Sequence, residues 1–377
     1  MEKRFLSTQI VFVCIAAAAA VASLFPVHRY IPIAGLAYAV DAFVFLSIAL
    51  LPRIANARWT GSRWLLIAIV AVFFAEALLI YPIADARKLH GLGSDQDDAL
   101  IQAGTLLRHG EYPYKFPTYM GNPISDGPGW VILHIPMYSL RLYALETPAL
   151  FALILLILRR RAHSSAFLFA AVLFLTPVVH MLVCDGSDLL ALSAAIFLLC
   201  FTAYKTGAGS SALWIVLCGF VSTARVNLIV LPLAILFFRT DWRTARAWLT
   251  TIGSLVVALT LHIVFYRLSP DHYAPLHLVG KGGRFLADAL PVAVLCALLL
   301  AVLLLRYKAA NGGELALLVG LFLLLAHAPL AYGDLLWNRQ HHLIWDGFEY
   351  VALCLVCLSA GAALRSAPLQ KLDAIVA

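Results

Sequence analysis

Charge is what this sequence has least of. Asp, Glu, Lys and Arg together make up 12% of its 377 residues, about half the share of a typical soluble domain. Hydrophobic residues make up 63%, and the mean hydropathy is +0.90. A soluble fold of this length has no core large enough to hide so much apolar surface. Nucleotide fingerprints are missing as well. Neither GxGxxG nor GxxxxGK[ST] occurs, so no loop of the usual kind cradles a nucleotide phosphate. No polar tract sets off a separate soluble domain, and no internal repeat is visible. Of the seven cysteines, only Cys354 and Cys357 have CxxC spacing, and they stand inside an apolar run without a second pair. They read as small core hydrophobes rather than a redox or metal centre. The net charge of +7 does not point to nucleic acid, because the Lys and Arg residues cluster between apolar runs, where they report topology.

What the sequence does have is long apolar runs. They fall at 9–24, 31–51, 64–80, 146–158, 166–183, 189–204, 212–224, 227–238, 248–265, 289–305, 315–330 and 350–363. Most approach the length needed to span a hydrocarbon core of about 30 Å. The expectation is an all-α polytopic membrane protein, a single integral membrane domain over 1–377 with about 12 transmembrane helices. The basic start Glu2-Lys3-Arg4 and the Ala-rich run behind it read as a retained first helix rather than a cleaved signal peptide. Residues 130–145, with His134, Pro136 and Arg141, read as an interfacial or re-entrant helix feeding the fourth span. Arg53, Arg58, Arg63, Arg159, Arg160, Arg161, Arg239, Arg243 and Arg246 then gather on one side, which predicts both termini in the cytoplasm of a bacterial-type inner membrane. Most carboxylates fall near the other side. They contribute little to orientation, so their accumulation there suggests a binding or catalytic surface.

Two connections on that outer side are long, 83–129 and 267–288, and long loops tend to carry function. The first holds Ser94-Asp95-Gln96-Asp97-Asp98 at the head of an expected amphipathic helix that ends at Gly110. The carboxylates are placed to cap that helix. Three so close also repel one another, which raises the pKa of at least one and suits a general base. A divalent metal is possible there, although no His stands at a convincing ligand spacing. Arg225 interrupts an apolar region and is followed by Asn227 and Pro232, the pattern of a helix break. A guanidinium there suits a phosphate; the alternative is a salt bridge to Asp41 or Glu76, which also lie in apolar spans. The segment Trp337-Asn338-Arg339-Gln340-His341-His342 offers a further cation, two imidazoles and an amide. His180, Asp185 and Asp188 stand at the outer end of another helix pair, and the second long loop carries Lys281 and Arg284.

In their order, these residues resemble the GT-C superfamily of membrane glycosyltransferases, and most of all glycosyltransferase family 87, the polyprenol-phosphate-mannose-dependent group. The likeness runs from Asp97-Asp98 and the short helix after it, through Gly110 and Tyr112 or Tyr114, to Arg225 before a Pro-containing apolar helix and the late Trp337 to His342 element. The chain departs from the family at Asp126-Gly127-Pro128-Gly129-Trp130 and at Asp185-Gly186-Ser187-Asp188. The resemblance implies a GT-C-like bundle with outer-surface loop helices. It further implies inverting transfer of a sugar (mannose, another hexose or a pentose) from a polyprenyl-phosphate donor to a lipid or glycan acceptor. In that picture Asp97 is the base, Asp98 or Asp95 orients the acceptor or binds the donor, and Arg225, Arg339, His341 and His342 meet the donor phosphate. Tyr112, Tyr114, Asp185, Asp188, Lys281 and Arg284 are further substrate-binding candidates. The rival expectation is a transporter or lipid-linked-sugar flippase, with Asp41, Glu76 and Arg225 as pathway residues.

Overall fold

A computed structural model describes residues 7–31, 33–55, 60, 62–88, 94–161, 163–204, 208–341 and 347–366, without the side chains of 208–210, 338–341, 347–349 and 366. The regular structure among them is helical, apart from one isolated bridge between Arg239 and Ala309. In lipid a helix satisfies its backbone within its own segment, and the apolar runs fold accordingly.

Helix α1 (Thr8–Tyr30) packs on α2 (Ala34–Ile54). Helix α3 (Arg63–Ala75) continues through a π-helical turn, Glu76–Ile80, into α4 (Tyr81–Ala86). The loop helix α5 (Gln96–Arg108) follows, then α6 (Pro128–Ser139), α7 (Glu146–Arg159), α8 (His163–Leu175) and α9 (Pro177–Cys184). Next come α10 (Leu189–Thr202), α11 (Ala208–Ser222), α12 (Leu231–Phe238) and α13 (Ala245–Leu268). The chain ends with α14 (His277–Asp288), α15 (Leu290–Arg306), α16 (Gly312–His341) and α17 (Leu355–Ser366).

Each expected apolar span is helical, but they differ in reach. Among the described residues, five helical stretches are long and apolar enough to cross a membrane: α1, α2, α3 with α4, α13 and α16. Three bent pairs raise that count among the described residues to as many as eight. The pair α6 and α7 bends by 108° where Arg141 takes a left-handed φ of 56°, so the expected re-entrant stretch is a separate helix at a sharp corner. The pair α8 and α9 bends by 74° at Thr176-Pro177, because a proline inside a helix removes a backbone donor and clashes with the preceding turn. The third bend, of 100°, separates α14 from α15. Helix α10 spans 14 residues, about 21 Å at 1.5 Å per residue, short of the hydrocarbon core. The chain is thus a multi-pass helical bundle, with five to eight helices or bent pairs among the described residues long and apolar enough to cross a membrane.

The burial pattern separates inside from outside. Leu189, Leu190, Leu192, Ile196 and Phe197 of α10 are fully buried, as are Leu315, Leu317, Leu318 and Val319 of α16 and Leu355 to Leu358 of α17. Helices apolar all round belong in the middle of a bundle. By contrast α13 and α15 expose Leu249, Val256, Ile263, Leu298 and Leu305. So many exposed aliphatic side chains suit a hydrocarbon surrounding and not water. Cys354 and Cys357 are buried free thiols in the core, as expected of small hydrophobes.

Candidate active site

The acidic cluster is brought together by three elements. Helix α5 presents Asp97 and Asp98 in its first turn. The segment from α4 to Lys88 supplies Tyr81, Asp85 and Lys88, and the turn between α9 and α10 lays Gly186 against Tyr81 and Asp97. The sequence places these carboxylates as helix caps, and the structure uses them differently. Asp95 is the N-cap residue but makes no side-chain cap bond. Its Oδ2 instead accepts from Thr118 Oγ1 at 2.5 Å and Asn122 Nδ2 at 2.9 Å, which pins the coil of 111–127 to the helix start. Ser94 Oγ accepts from the Gln96 amide at 3.2 Å. Long-range partners outcompete the cap because the surrounding loop folds back over the helix.

Asp97 is 2% exposed. Its Oδ2 accepts a hydrogen bond from Tyr81 Oη at 2.8 Å, while its Oδ1 is buried without a hydrogen-bond partner among the described residues. Burial raises the Asp97 pKa to about 7, the charge of Asp98 adds to that, and the Tyr81 bond pulls the other way. The expected perturbed carboxylate is therefore present, with desolvation as its main cause. Asp98 accepts from Lys88 Nζ at 2.6 Å, and Asp85 accepts from the same ammonium at 2.8 Å. Oxygens of Asp85, Asp97 and Asp98 lie within 4.8 Å of one another, a set of hard ligands able to hold a divalent ion. Tyr81, Asp85 and Lys88 stand at the end of an apolar span, and their only sequence signal is the Asp85 to Lys88 spacing of one helical turn.

A second buried centre lies behind the first. Arg225 has extended backbone (φ −139°, ψ 144°) between α11 and a short 3-10 turn, Val226–Val230, which is the expected helix break. Its guanidinium donates to Asp126 through Nη1 and to Asp188 through Nη2, the latter at 2.8 Å. Asp188 also accepts from Trp130 Nε1 at 2.6 Å. Asp41 and Glu76, the ion-pair partners suggested by sequence, are engaged elsewhere: Asp41 with His28 at 3.1 Å and Glu76 with His180 at 2.7 Å. The partners of Arg225 come from the ends of two connections, where a polar residue carries no periodic signal. Nearby, His134 lies 3.0 Å from Glu146 and stacks edge-on against Trp130.

The centres meet at the turn 185–188. Ser187 donates to Gln96 and Tyr143 Oη donates to Gly186 O at 3.1 Å. Gly186 has φ +69°, and a Cβ there would fall 2.4 Å from the Tyr81 ring and 3.3 Å from Asp97 Cβ. Asp185, pushed up to about 6 by burial against the pull of Arg29, stands beside it. A small cavity next to this turn is lined by Tyr143, Glu146, Thr147, Ser187 and Asp188.

The remaining candidates lie on other elements or outside the described residues. Tyr112 Oη donates to Phe265 O at 2.9 Å and Ser269 O at 3.2 Å, and Tyr114 Oη donates to Asp126 O at 2.9 Å. The Tyr112 phenol thus ties the loop to the end of α13, while the Tyr114 bond closes the loop on itself and its ring packs edge-on against Phe265. Lys281 and Arg284 lie on α14, which packs on α15 and α16. Arg339 and His341 fall in the last turn of α16, with side chains outside the described residues, and His342 lies outside them altogether. Comparison with protein-family models, curated proteins and solved structures returns no match.

Proposed function

We propose that the chain is a membrane glycosyltransferase that takes its sugar from a polyprenyl-phosphate donor and works at the outer face of the membrane. The observation that carries this reading is Asp97, a buried carboxylate with one free oxygen and a pKa near neutrality. A base needs that combination: ionised in part at working pH, yet basic enough to take a proton from a hydroxyl. In this reading the acceptor hydroxyl gives its proton to Asp97 as its oxygen bonds to the anomeric carbon. The bond from that carbon to the phosphate oxygen breaks, and its electron pair leaves with the lipid phosphate. A single displacement of this kind inverts the anomeric centre. A cation at the Asp85, Asp97 and Asp98 cluster would orient the reacting groups. Arg225 is already neutralised by two carboxylates, so it acts by holding the turn 185–188, and the departing phosphate falls to Arg339, His341 and His342. The full count of about twelve membrane helices and the cytoplasmic termini belong to the same proposal.

The intramembrane pairs His28 with Asp41 and Glu76 with His180 favour a second reading, a transporter or flippase, because paired charges within spans mark pathways. One experiment separates the two. Purified protein in liposomes is given labelled polyprenyl-phosphate sugar together with extracted envelope lipids. A new labelled glycolipid supports transfer, whereas movement of donor across the bilayer without a new product supports the flippase.

A further inference from the structure

Lys88 belongs to no motif, yet its ammonium sits among the acidic groups. Its Nζ lies 2.8 Å from Asp85 Oδ1 and 2.6 Å from Asp98 Oδ1, bridging two of the three carboxylates whose oxygens fall within 4.8 Å of one another. The side chain is 24% exposed, and its head stands 5.3 Å from the centre of the Tyr119 ring. Two carboxylate oxygens in the same cluster have no hydrogen-bond partner among the described residues, Asp97 Oδ1 and Asp98 Oδ2. The first belongs to a side chain buried almost completely. Three carboxylates thus surround one ammonium, and two of their oxygens stay open to a further donor.

A divalent ion joining Asp85 to Asp98 would need the space that Nζ fills. Its bonds to oxygen are about 2.0–2.6 Å long, and an ammonium left at contact distance would repel it by several kcal/mol even at an effective dielectric of about 20. Ion and ammonium exclude each other. We propose that Lys88 is the resident cation of this site, a tethered ammonium in place of a divalent metal, and that its removal uncovers a metal site made of Asp85, Asp97 and Asp98. Within the glycosyltransferase reading, on which this role rests, Lys88 holds Asp98 and offers its remaining N–H bond to a substrate oxygen beside Asp97.

The test uses Mn2+ binding to the purified full-length protein, read by electron paramagnetic resonance, so it does not depend on any activity. Wild type should bind Mn2+ weakly or not at all at this cluster. Lys88→Met should bind it tighter by about tenfold or more, and adding Asp98→Asn to that variant should abolish the gain. Tight Mn2+ binding by wild type that is lost in Asp98→Asn would overturn the proposal, and that arm stands even if the Lys88 variants fail to fold. Equal, weak binding by folded Lys88→Met would overturn it too. A transfer assay on the same samples keeps the two readings apart. Metal dependence appearing only in Lys88→Met supports both, while an absence of transfer in wild type counts against the glycosyltransferase and leaves the Mn2+ result to decide on Lys88.

Discussion

At the scale of the residue, burial sets the protonation of Asp97. Its pKa of about 7 stands against an ordinary value of 3.8. Between those two values the folded protein keeps a proton that the unfolded chain has lost, so stability falls as pH rises from about 4 to about 7. A base works only when ionised, so transfer should climb through the same upper range. Melting temperature and turnover of the wild type should thus move in opposite directions between pH 6 and 8 (about one unit either side of the Asp97 value), and Asp97→Asn should flatten the contribution to melting. Arg225 makes a different prediction. Replacing it with Met leaves Asp126 and Asp188 buried without their counter-ion, and such losses cost about 3–5 kcal/mol. Arg225→Lys keeps the charge but not the planar fork that reaches both carboxylates, so detergent melting should fall less than in Arg225→Met, though well below wild type. If Arg225→Met melted like the wild type, the buried triad would have no structural weight. Asp97 was legible in sequence because three carboxylates crowd one helix start. Asp126, Tyr81 and Lys88 were not, since each gains its role only when a distant segment folds onto it.

At the scale of the element, apolar periodicity located the helices but not their lengths. Helices α10 and α12 are too short to cross a bilayer alone, and the run of hydrophobic residues cannot tell a short buried helix from a spanning one. Breaks were legible in part. Arg225 with Pro232 marks one, whereas the bend at Thr176-Pro177 falls inside the run 166–183, which reads as a single span. The π-helical turn at Glu76–Ile80 has no sequence signature, although such turns often stand at functional sites; here it lies between the Glu76 to His180 pair and the Tyr81 to Asp97 bond. Two glycines give a test of how the turn 185–188 shapes the site. Both have left-handed φ, +76° at Gly110 and +69° at Gly186, but a Cβ at Gly110 meets nothing within 4 Å. Gly110→Ala should cost about 1–2 kcal/mol of backbone strain with turnover retained. Gly186→Ala bears the same strain and also drives into Tyr81, so turnover should drop by a much larger factor than stability explains. Equal turnover in the two folded variants would remove the turn 185–188 from the site's architecture.

At the scale of the whole molecule, the exposed aliphatic surfaces of α13 and α15 suit a multi-pass membrane bundle, and the proposed orientation rests on the basic clusters between spans. Tyr119 is 37% exposed on the loop that covers the acidic cluster. A cysteine placed there should react with an impermeant maleimide added to intact cells, whereas protection until the membrane is opened would reverse the orientation. The class of fold was legible because charge is so scarce, and the site was half legible because one of its walls is a continuous stretch of sequence. The other walls are assembled from α4, the turn after α9 and the break after α11, which only packing brings together. The role of Asp97 as the base is tested most directly by transfer of labelled sugar from polyprenyl phosphate by purified Asp97→Asn, with donor binding followed separately. Asp97→Asn should fold, bind donor like the wild type and transfer no sugar. Wild-type turnover in that variant would contradict that role.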